Sequence, residues 1–581
     1  MEKNLTEQYA RWRREAAADP DLQAELAAME GDAAKIEDAF YRELSFGTAG
    51  IRGVLGAGTN RMNVYVVARA TKGLANYLKK HFEGEALRVA IGFDSRIKSD
   101  VFARTAAAVL AGEGIRVFLW PELMPVPCVS FATRYLGCCA GIMVTASHNP
   151  AEYNGYKAYG GDGCQLGEDE AAEVLAEIGR LDLFDDFGAP DFEAGLRSGL
   201  ISYIGEDVFT AYVETVKTQS LLGRPGMKPA EVDKDVAIVY TPLNGAGLRP
   251  VLRVLRETGF TNVTVVAEQE KPDGHFPTCP YPNPEIREAM ALGMEYARRA
   301  DADLLMATDP DSDRIGIAVK DGDDYRLITG NQTGVLLCEY ICTRRLSLAK
   351  MPWPAYIVKS IVTTGLADKV AAGYGVRTLN VLTGFKYIGE QIARLEEGGT
   401  PDAFLLGFEE SYGYLAGTHA RDKDAVVAAM LIAEMFAYYR TRGISLLDKL
   451  GEIYAKYGFC LNHTYSYTFA GSAGFARMQE LMAQFHAEWD GFGETKEERF
   501  FCGFPVAAVQ NFMAENVPGM APGTPKSNML RIELADGNSV IIRPSGTEPK
   551  LKAYVTVFAP DEAEALAERD ALGRALAEIM K

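Results

Sequence analysis

A chain of 581 residues with 48% hydrophobic and 24% charged residues has the proportions of an ordinary globular protein, and its length predicts three to five domains rather than one core. A net charge of −19 argues against a nucleic-acid partner, which would need a basic face, and requires any anionic ligand to meet locally concentrated Arg, Lys and backbone N–H groups. The longest apolar run beside a helical segment, Ala425 to Ala433, stops at Glu434, too short for a membrane span. The charged start, Glu2-Lys3, shows no secretory signal. Nine cysteines without framework spacing point to a reducing, cytoplasmic setting. The pairs Cys138-Cys139 and Cys338/Cys342 have no partner pair at zinc-site spacing and read as core thiols.

Residues 1 to about 40 read as helical, with apolar positions at Gln23 to Leu26 and Ile36 to Tyr41 among many charges. Strand and helix patterns then alternate. Val89–Gly92, Val117–Trp120 and Gly141–Val144 are strand-like, with helix composition over Phe102–Ala111. The pattern recurs as Val236–Tyr240, a helix after Gly245, Val263–Val266, a helix over Pro284–Arg299, and Asp303–Ala307. A third round runs Tyr356–Thr364, helix, Val376–Leu382, helix, Phe404–Phe408. Such alternation predicts parallel strands covered by helices. The end differs: a hairpin over Met529–Leu534 and Val540–Ile542 turns at Asp536-Gly537, and a strand Leu551–Phe558 precedes a closing helix. Gly471–Gly491 reads as helix and Pro518–Pro525 as loop. The expected architecture is α/β with four domains, three similar mixed α/β sheet domains and a C-terminal α+β domain, around a central cleft. The limits fall at 1–205, 206–325, 326–458 and 459–581.

In each of the first three units one apolar strand runs directly into a polar loop, and ligands in open α/β sheets bind beyond such strand ends. The first loop is Thr145-Ala146-Ser147-His148-Asn149-Pro150, with a hydroxyl nucleophile beside an imidazole. That serine could attack a carbonyl or carry a phosphoryl group. The second, Asp309-Pro310-Asp311-Ser312-Asp313-Arg314, sets three carboxylates at alternate positions, which repel unless a cation or several donors compensate them. An EF-hand is excluded by Arg314 and Lys320 at the positions that need Gly and Glu, and a small hard cation such as Mg²⁺ fits better than a solvated acidic turn. The third loop, Gly407-Phe408-Glu409-Glu410-Ser411-Tyr412-Gly413, can grip sugar hydroxyls, although taken alone it reads as an acidic helix N-terminus. Arg421-Asp422-Lys423-Asp424 adds basic groups before an apolar helix, or else forms ordinary surface ion pairs. In the last domain Arg543-Pro544-Ser545-Gly546-Thr547-Glu548-Pro549-Lys550 is an anion nest or a tight turn. No P-loop occurs, and Phe46-Gly47-Thr48-Ala49-Gly50-Ile51-Arg52-Gly53 lacks dinucleotide-fingerprint spacing.

Taken in order, TASHNP, DPDSDR, FEES and RPSGTEPK, with FGTAGIRG before them, resemble the α-D-phosphohexomutase family from Phe46 to beyond Lys550, with most likeness to its longer bacterial members. The resemblance implies that Ser147 carries the phosphoryl group and that Ser147, Asp309, Asp311 and Asp313 ligate Mg²⁺. It implies that Arg52 and Arg314 lie near the serine phosphate and that His148 and Lys157 move the proton of the reacting hydroxyl. Thr383, Gly384, Glu409 and Ser411 are expected at the sugar. Lys423, Arg543, Ser545, Gly546 and Thr547 are expected at the phosphate that is not transferred. The implied activity interconverts α-D-glucose 1-phosphate and D-glucose 6-phosphate through glucose 1,6-bisphosphate, in a monomer or homodimer. FEESYG in place of GEMSGH favours glucose over mannose; pentose phosphates or net bisphosphate synthesis are the neighbouring alternatives. A serine hydrolase is disfavoured, since no G-x-S-x-G elbow surrounds Ser147 and adjacent residues seldom aim at one another. A sugar-phosphate sensor without turnover is disfavoured by the complete set of reactive groups.

Overall fold

The computed structural model describes residues 2–16, 19–47, 50–184, 191–223, 232–469, 471–492, 498–545 and 550–580. Three helices, Glu2–Glu15, Pro20–Ala28 and Ala33–Phe40, precede the first sheet, and the second and third are N-capped by Asp19 and Asp32. Trp12, Leu26 and Phe40 bury against that sheet's core, so the extension packs as part of the first unit.

The first sheet runs, in spatial order, Ile51–Val54, Tyr153–Gly160, Ala140–Val144, Arg88–Phe93, Arg116–Leu119, Ile201–Tyr203. The second runs Asp324–Ile328, Ile315–Asp321, Leu304–Thr308, Ile238–Thr241, Val263–Val265. The third runs Arg377–Val381, Tyr356–Ser360, Phe404–Glu409, Gly413–Leu415. The strands read from the alternation pair in parallel. Each sheet adds one feature that the alternation does not disclose. The strand after each motif loop folds back antiparallel on the strand before it: Tyr153–Gly160 on Ala140–Val144, Ile315–Asp321 on Leu304–Thr308, Gly413–Leu415 on Phe404–Glu409. Tyr153–Gly160 is buried along most of its length without strict polar alternation, so period-two patterning does not reveal it.

The fourth sheet is antiparallel throughout, in the order Phe459–Thr468, Lys550–Ala559, Ser539–Pro544, Leu530–Leu534, Phe504–Asn511, Phe500–Phe501. The predicted hairpin is present, with Gly537 in the left-handed region at φ 87°. This unit has its own core around Leu481, Leu530, Val540, Leu551 and Leu572. A second core runs continuously through the first three units, carried by the helices Val126–Tyr135, Glu206–Lys217 and Ala425–Arg440.

Asp424 shows how these units are tied. It N-caps Ala425–Arg440 by accepting from the backbone N–H groups of Val426 (2.8 Å) and Val427 (3.0 Å). It also accepts the Tyr212 hydroxyl at 3.0 Å, and His419 Nε2 lies 2.7 Å away. Burial, and next the neighbouring Asp424 charge, push the Tyr212 phenol far up, so its proton stays in place. Asp424→Ala removes a helix cap and orphans a buried hydroxyl. The expected cost is about 2–4 kcal/mol, read as faster amide exchange across Ala425–Arg440.

Candidate functional site

Ser147 lies just past the fully buried strand Ala140–Val144, in the left-handed region at φ 53°, an uncommon conformation for a residue with a side chain. Its amide donates to Thr145 Oγ1 at 2.8 Å. Its hydroxyl donates to Asp309 Oδ2 at 3.0 Å, bringing the first and second loops together. His148 Nδ1 lies 3.2 Å from the same Oγ, so here adjacent residues do aim at one another, against the expectation above. The left-handed turn at Ser147 is what folds the two side chains onto one side. Among the described residues no carboxylate pairs with the other imidazole nitrogen, so a hydrolase relay is incomplete. Burial and the charges of Arg314 and Arg52 push the His148 pKa well down, leaving the ring neutral at pH 7.

Asp309, Asp311 and Asp313 are all but fully buried, with ligand oxygens within 4.8 Å of one another, which removes the reading of a solvated acidic turn. Ser312 between them is also left-handed, at φ 49°. Asp309 Oδ1 accepts the amides of Asp313 (3.1 Å) and Arg314 (3.0 Å). Burial and the two neighbouring carboxylates push its own pKa far up. Burial also pushes Asp313 up, but Lys423, Lys157 and Arg314 outweigh that and hold it well below the usual range. Asp311 Oδ1, Asp313 Oδ1 and Ser312 Oγ are buried without a hydrogen-bond partner. Buried lone pairs seldom stay unused, and three clustered carboxylates carrying two of them fit a divalent cation with oxygen preference.

The cations come from other units. Lys157, on the antiparallel strand Tyr153–Gly160, reaches Asp311 Oδ2 at 2.9 Å and Asp313 Oδ2 at 3.4 Å. Lys423 reaches Asp313 Oδ2 at 3.1 Å and is braced by Asp422 at 2.9 Å. The 421–424 segment is buried throughout, which overturns its reading as surface ion pairs. Arg314 pairs with Glu285 at 2.6 Å, and its Nε is 3.8 Å from Asp313. Arg52 is exposed and donates to Asn149 Oδ1 at 2.9 Å.

The third loop is a strand and its return rather than a helix N-terminus. Glu409 is buried at the end of Phe404–Glu409 and accepts the Gly384 amide at 2.7 Å, which joins two expected sugar-loop residues. Burial, with the adjacent Glu410, raises its pKa to about 7 although Lys423 opposes this. Thr383 Oγ1 beside it is buried without a partner. Ser411 lines a polar cavity of about 340 Å³ with Glu285, Asn331, His463, Lys552 and Tyr554, where the second, third and fourth units meet. Arg543, whose Nε is buried and unpartnered, is the penultimate residue of the strand Ser539–Pro544 in the fourth unit, and Ser545 follows that strand. Gly546 and Thr547 lie outside the described residues.

Two residues that motif reading missed stand behind Ser147. Arg96 is buried and donates to backbone carbonyls of the Ser147 loop, and Asp94 accepts the Thr145 hydroxyl at 2.6 Å. Their signal was the polar run Asp94-Ser95-Arg96 directly after the strand Arg88–Phe93, a strand end like the other three.

Four family models match in order. They are phosphoglucomutase/phosphomannomutase α/β/α domain I over residues 43–183, domain II over 210–322, domain III over 329–457 and the C-terminal domain over 496–572. The chain belongs to the phosphoglucomutase/phosphomannomutase family. A phosphoglucomutase of Staphylococcus saprophyticus is 37% identical over 529 residues, covering 89% of this chain and 91% of that one. A phosphoglucomutase of Staphylococcus aureus is 34% identical over 532 residues, covering 90% and 91%. Among solved structures, a protein described as a phosphomannomutase from Thermus thermophilus shares the fold with a TM-score of 0.66 at 22% identity, over 92% of this chain and 99% of that one. Family membership makes the protein an isomerase that moves a phosphoryl group. No helix among the described residues is long and apolar enough to cross a membrane.

Two outcomes follow from this geometry. Asp311→Asn should weaken divalent-cation binding at least about tenfold by calorimetry. Glu409 holds its proton to about pH 7 in the fold, against an ordinary value of 4.5, so the folded chain binds that proton more tightly than the unfolded chain does. Its contribution to stability therefore falls as pH rises from 4.5 to about 7 and stays lost above. Glu409→Gln should gain stability relative to the parent across that window in denaturant titrations, with no difference below it.

Proposed function

We propose that the protein interconverts α-D-glucose 1-phosphate and D-glucose 6-phosphate through phosphorylated Ser147 and bound glucose 1,6-bisphosphate. The observation that carries this reading is the Ser147 hydroxyl 3.0 Å from Asp309, inside a buried three-carboxylate cluster with unused oxygens and ringed by cations. Two relatives at 34% and 37% identity bearing the name phosphoglucomutase support glucose as the sugar.

In this reading Asp309, Asp311, Asp313 and Ser147 hold Mg²⁺. Bound there, the ion neutralises charge on the phosphoryl oxygens. Arg52, beside Asn149 of the same loop as Ser147, and Arg314, beside Asp313, are assigned to those oxygens, with Arg314 exchanging Glu285 for them. A free sugar hydroxyl attacks the phosphorus on Ser147 and gives its proton to neutral His148, while the P–Oγ bond breaks and Ser147 Oγ leaves with its electron pair, to be reprotonated by the imidazolium. Lys157 is already protonated and so cannot accept that proton. Burial lowers its pKa, but Asp311 and Asp313 raise it more, so it stays cationic and steadies charge instead. Glu409, Ser411, Thr383 and Gly384 grip the sugar. Lys423, Arg543, Ser545, Gly546 and Thr547 hold the second phosphate. The bisphosphate turns end for end and its other phosphoryl returns to Ser147.

We also set the domain limits at 1–205, 206–325, 326–458 and 459–581. The matched ranges and the four separate sheets support the limits near 205 and 458, whereas the strand Asp324–Ile328 of the second sheet crosses 325/326 and argues for a limit nearer residue 328. A cytoplasmic setting is supported by nine cysteines that are all unpaired.

Incubation with glucose 1,6-bisphosphate labelled in its phosphates, with Mg²⁺, should label Ser147, and mutase turnover on glucose 1-phosphate should follow. Ser147→Ala should lose both. An unlabelled wild-type chain overturns the reading. Label with faster turnover of mannose or ribose 1-phosphate keeps the chemistry and replaces the sugar.

A further inference from the structure

The left-handed turn at Ser147 is gripped from behind by a side chain that touches none of the reacting groups. Arg96 donates to four carbonyl oxygens: Ser147 (Nε, 3.2 Å), Asn149, Pro150 (Nη1, 2.8 Å) and Tyr153 (Nη1, 3.0 Å). The first three carbonyls lie in the loop between the strands Ala140–Val144 and Tyr153–Gly160 and the fourth opens the second strand, so the guanidinium ties the loop to the strand that follows it. Asp94 sits 3.4 Å from Arg96 Nε and accepts the Arg96 amide (2.9 Å), the Ser99 hydroxyl (2.7 Å) and the Thr145 hydroxyl (2.6 Å). Thr145 Oγ1 in turn accepts the Ser147 amide at 2.8 Å. Both the N–H and the C=O of Ser147 are thereby referred to one buried Asp94–Arg96 pair.

The second unit closes the other side. The Phe276 ring lies under the Arg96 guanidinium, 5.1 Å from its centroid. Gly274 presses on the backbone of Ser95–Ile97, where an added Cβ would stand 2.4 Å from the Ile97 amide nitrogen. The same unit supplies the Asp309–Asp313 loop, so one domain contacts both the nucleophile's metal cluster and its support.

We propose that Arg96, clamped between the Ser147 loop and Phe276 of the second unit, is a positioning residue that holds the Ser147 hydroxyl in line for phosphoryl transfer. This rests on the phosphoryl-transfer reading above. A planar five-donor fork can serve four carbonyls at once, and an ammonium cannot. Displacement of a reacting atom by about 1 Å costs about 100-fold in rate.

The test uses full-length Arg96→Lys and Phe276→Leu with Mg²⁺ and glucose 1-phosphate. Arg96→Lys should lower kcat about 100-fold while KM and the Mg²⁺ dissociation constant stay within about threefold. Amide exchange over residues 148–153 should quicken in both variants, and Phe276→Leu should lower kcat by about tenfold. Wild-type kcat and loop exchange in a folded Arg96→Lys overturns the proposal. So does a loss confined to KM or to Mg²⁺ affinity, which would place Arg96 in ligand binding. If Arg96→Lys does not fold, Phe276→Leu, which leaves the hydrogen bonds of Arg96 intact, decides by the same readouts. A wild-type chain without turnover on any sugar phosphate defeats the functional reading, and loop exchange in the variants still decides the clamp.

Discussion

Three buried carboxylates within 4.8 Å of one another are the constraint on which the rest of this structure turns. Two unit charges about 4 Å apart interact by about 4 kcal/mol even at an effective dielectric near 20. That is a large part of the roughly 5–15 kcal/mol that keeps a typical domain folded. The cluster therefore has to be compensated, and its own segment contributes only two amides and Arg314. Lys157 comes from the first sheet and Lys423 from the third unit. The first three units are thus bound electrostatically to a loop that belongs to one of them.

Backbone contacts repeat the same arrangement. Carbonyls of the 309–313 loop accept amides from Ala246 in its own unit (2.8 Å), Val126 in the first (3.0 Å) and Ala425 in the third (3.3 Å), and Ile315 donates to Tyr412 at 3.1 Å. Gly245 lies against Pro310 so closely that an added Cβ would fall 2.4 Å from its Cα. A loop fixed on all sides can present its unused carboxylate oxygens to a cation without rearranging, which is the preorganisation phosphoryl transfer depends on. The fourth unit makes none of these loop contacts and has its own core, but Cys460, Ile541 and Tyr554 also pack into the shared core, and a polar cavity beside Ser411 opens between the units.

Motif reading and structure part company where a residue's meaning depends on what lies across a domain boundary. Arg421-Asp422-Lys423-Asp424 has the composition of a solvated turn, yet Asp422 meets Tyr159 (3.1 Å) and Gln165 (2.9 Å) of the first unit and the whole segment is buried. Glu409 and Glu410 look like a helix start because acidic residues favour that position, but the strand Phe404–Glu409 simply turns back. His148 lies next to Ser147, and only the left-handed backbone at Ser147 lets its ring nitrogen face the hydroxyl.

The sequence by itself determined the alternation of strands and helices, the antiparallel hairpin near the end, and the placing of each reactive loop directly after a buried strand. These follow from hydrophobic period and turn chemistry within short windows of chain. It also pointed to the type of chemistry, through the order of the motifs along the chain rather than through any one of them, since the strand-end serine alone fits acyl or phosphoryl transfer. Only the tertiary structure decided which groups meet: Ser147 with Asp309, Lys157 and Lys423 with the acidic loop, Glu409 with Gly384, Arg96 with the carbonyls behind the nucleophile. The return strand Tyr153–Gly160 likewise emerged only in three dimensions, since buried backbone pairing leaves no periodic mark. The physical reason is range. Local propensity acts over a few residues, whereas neutralising a buried charge takes whatever partner the fold delivers, from any distance along the chain.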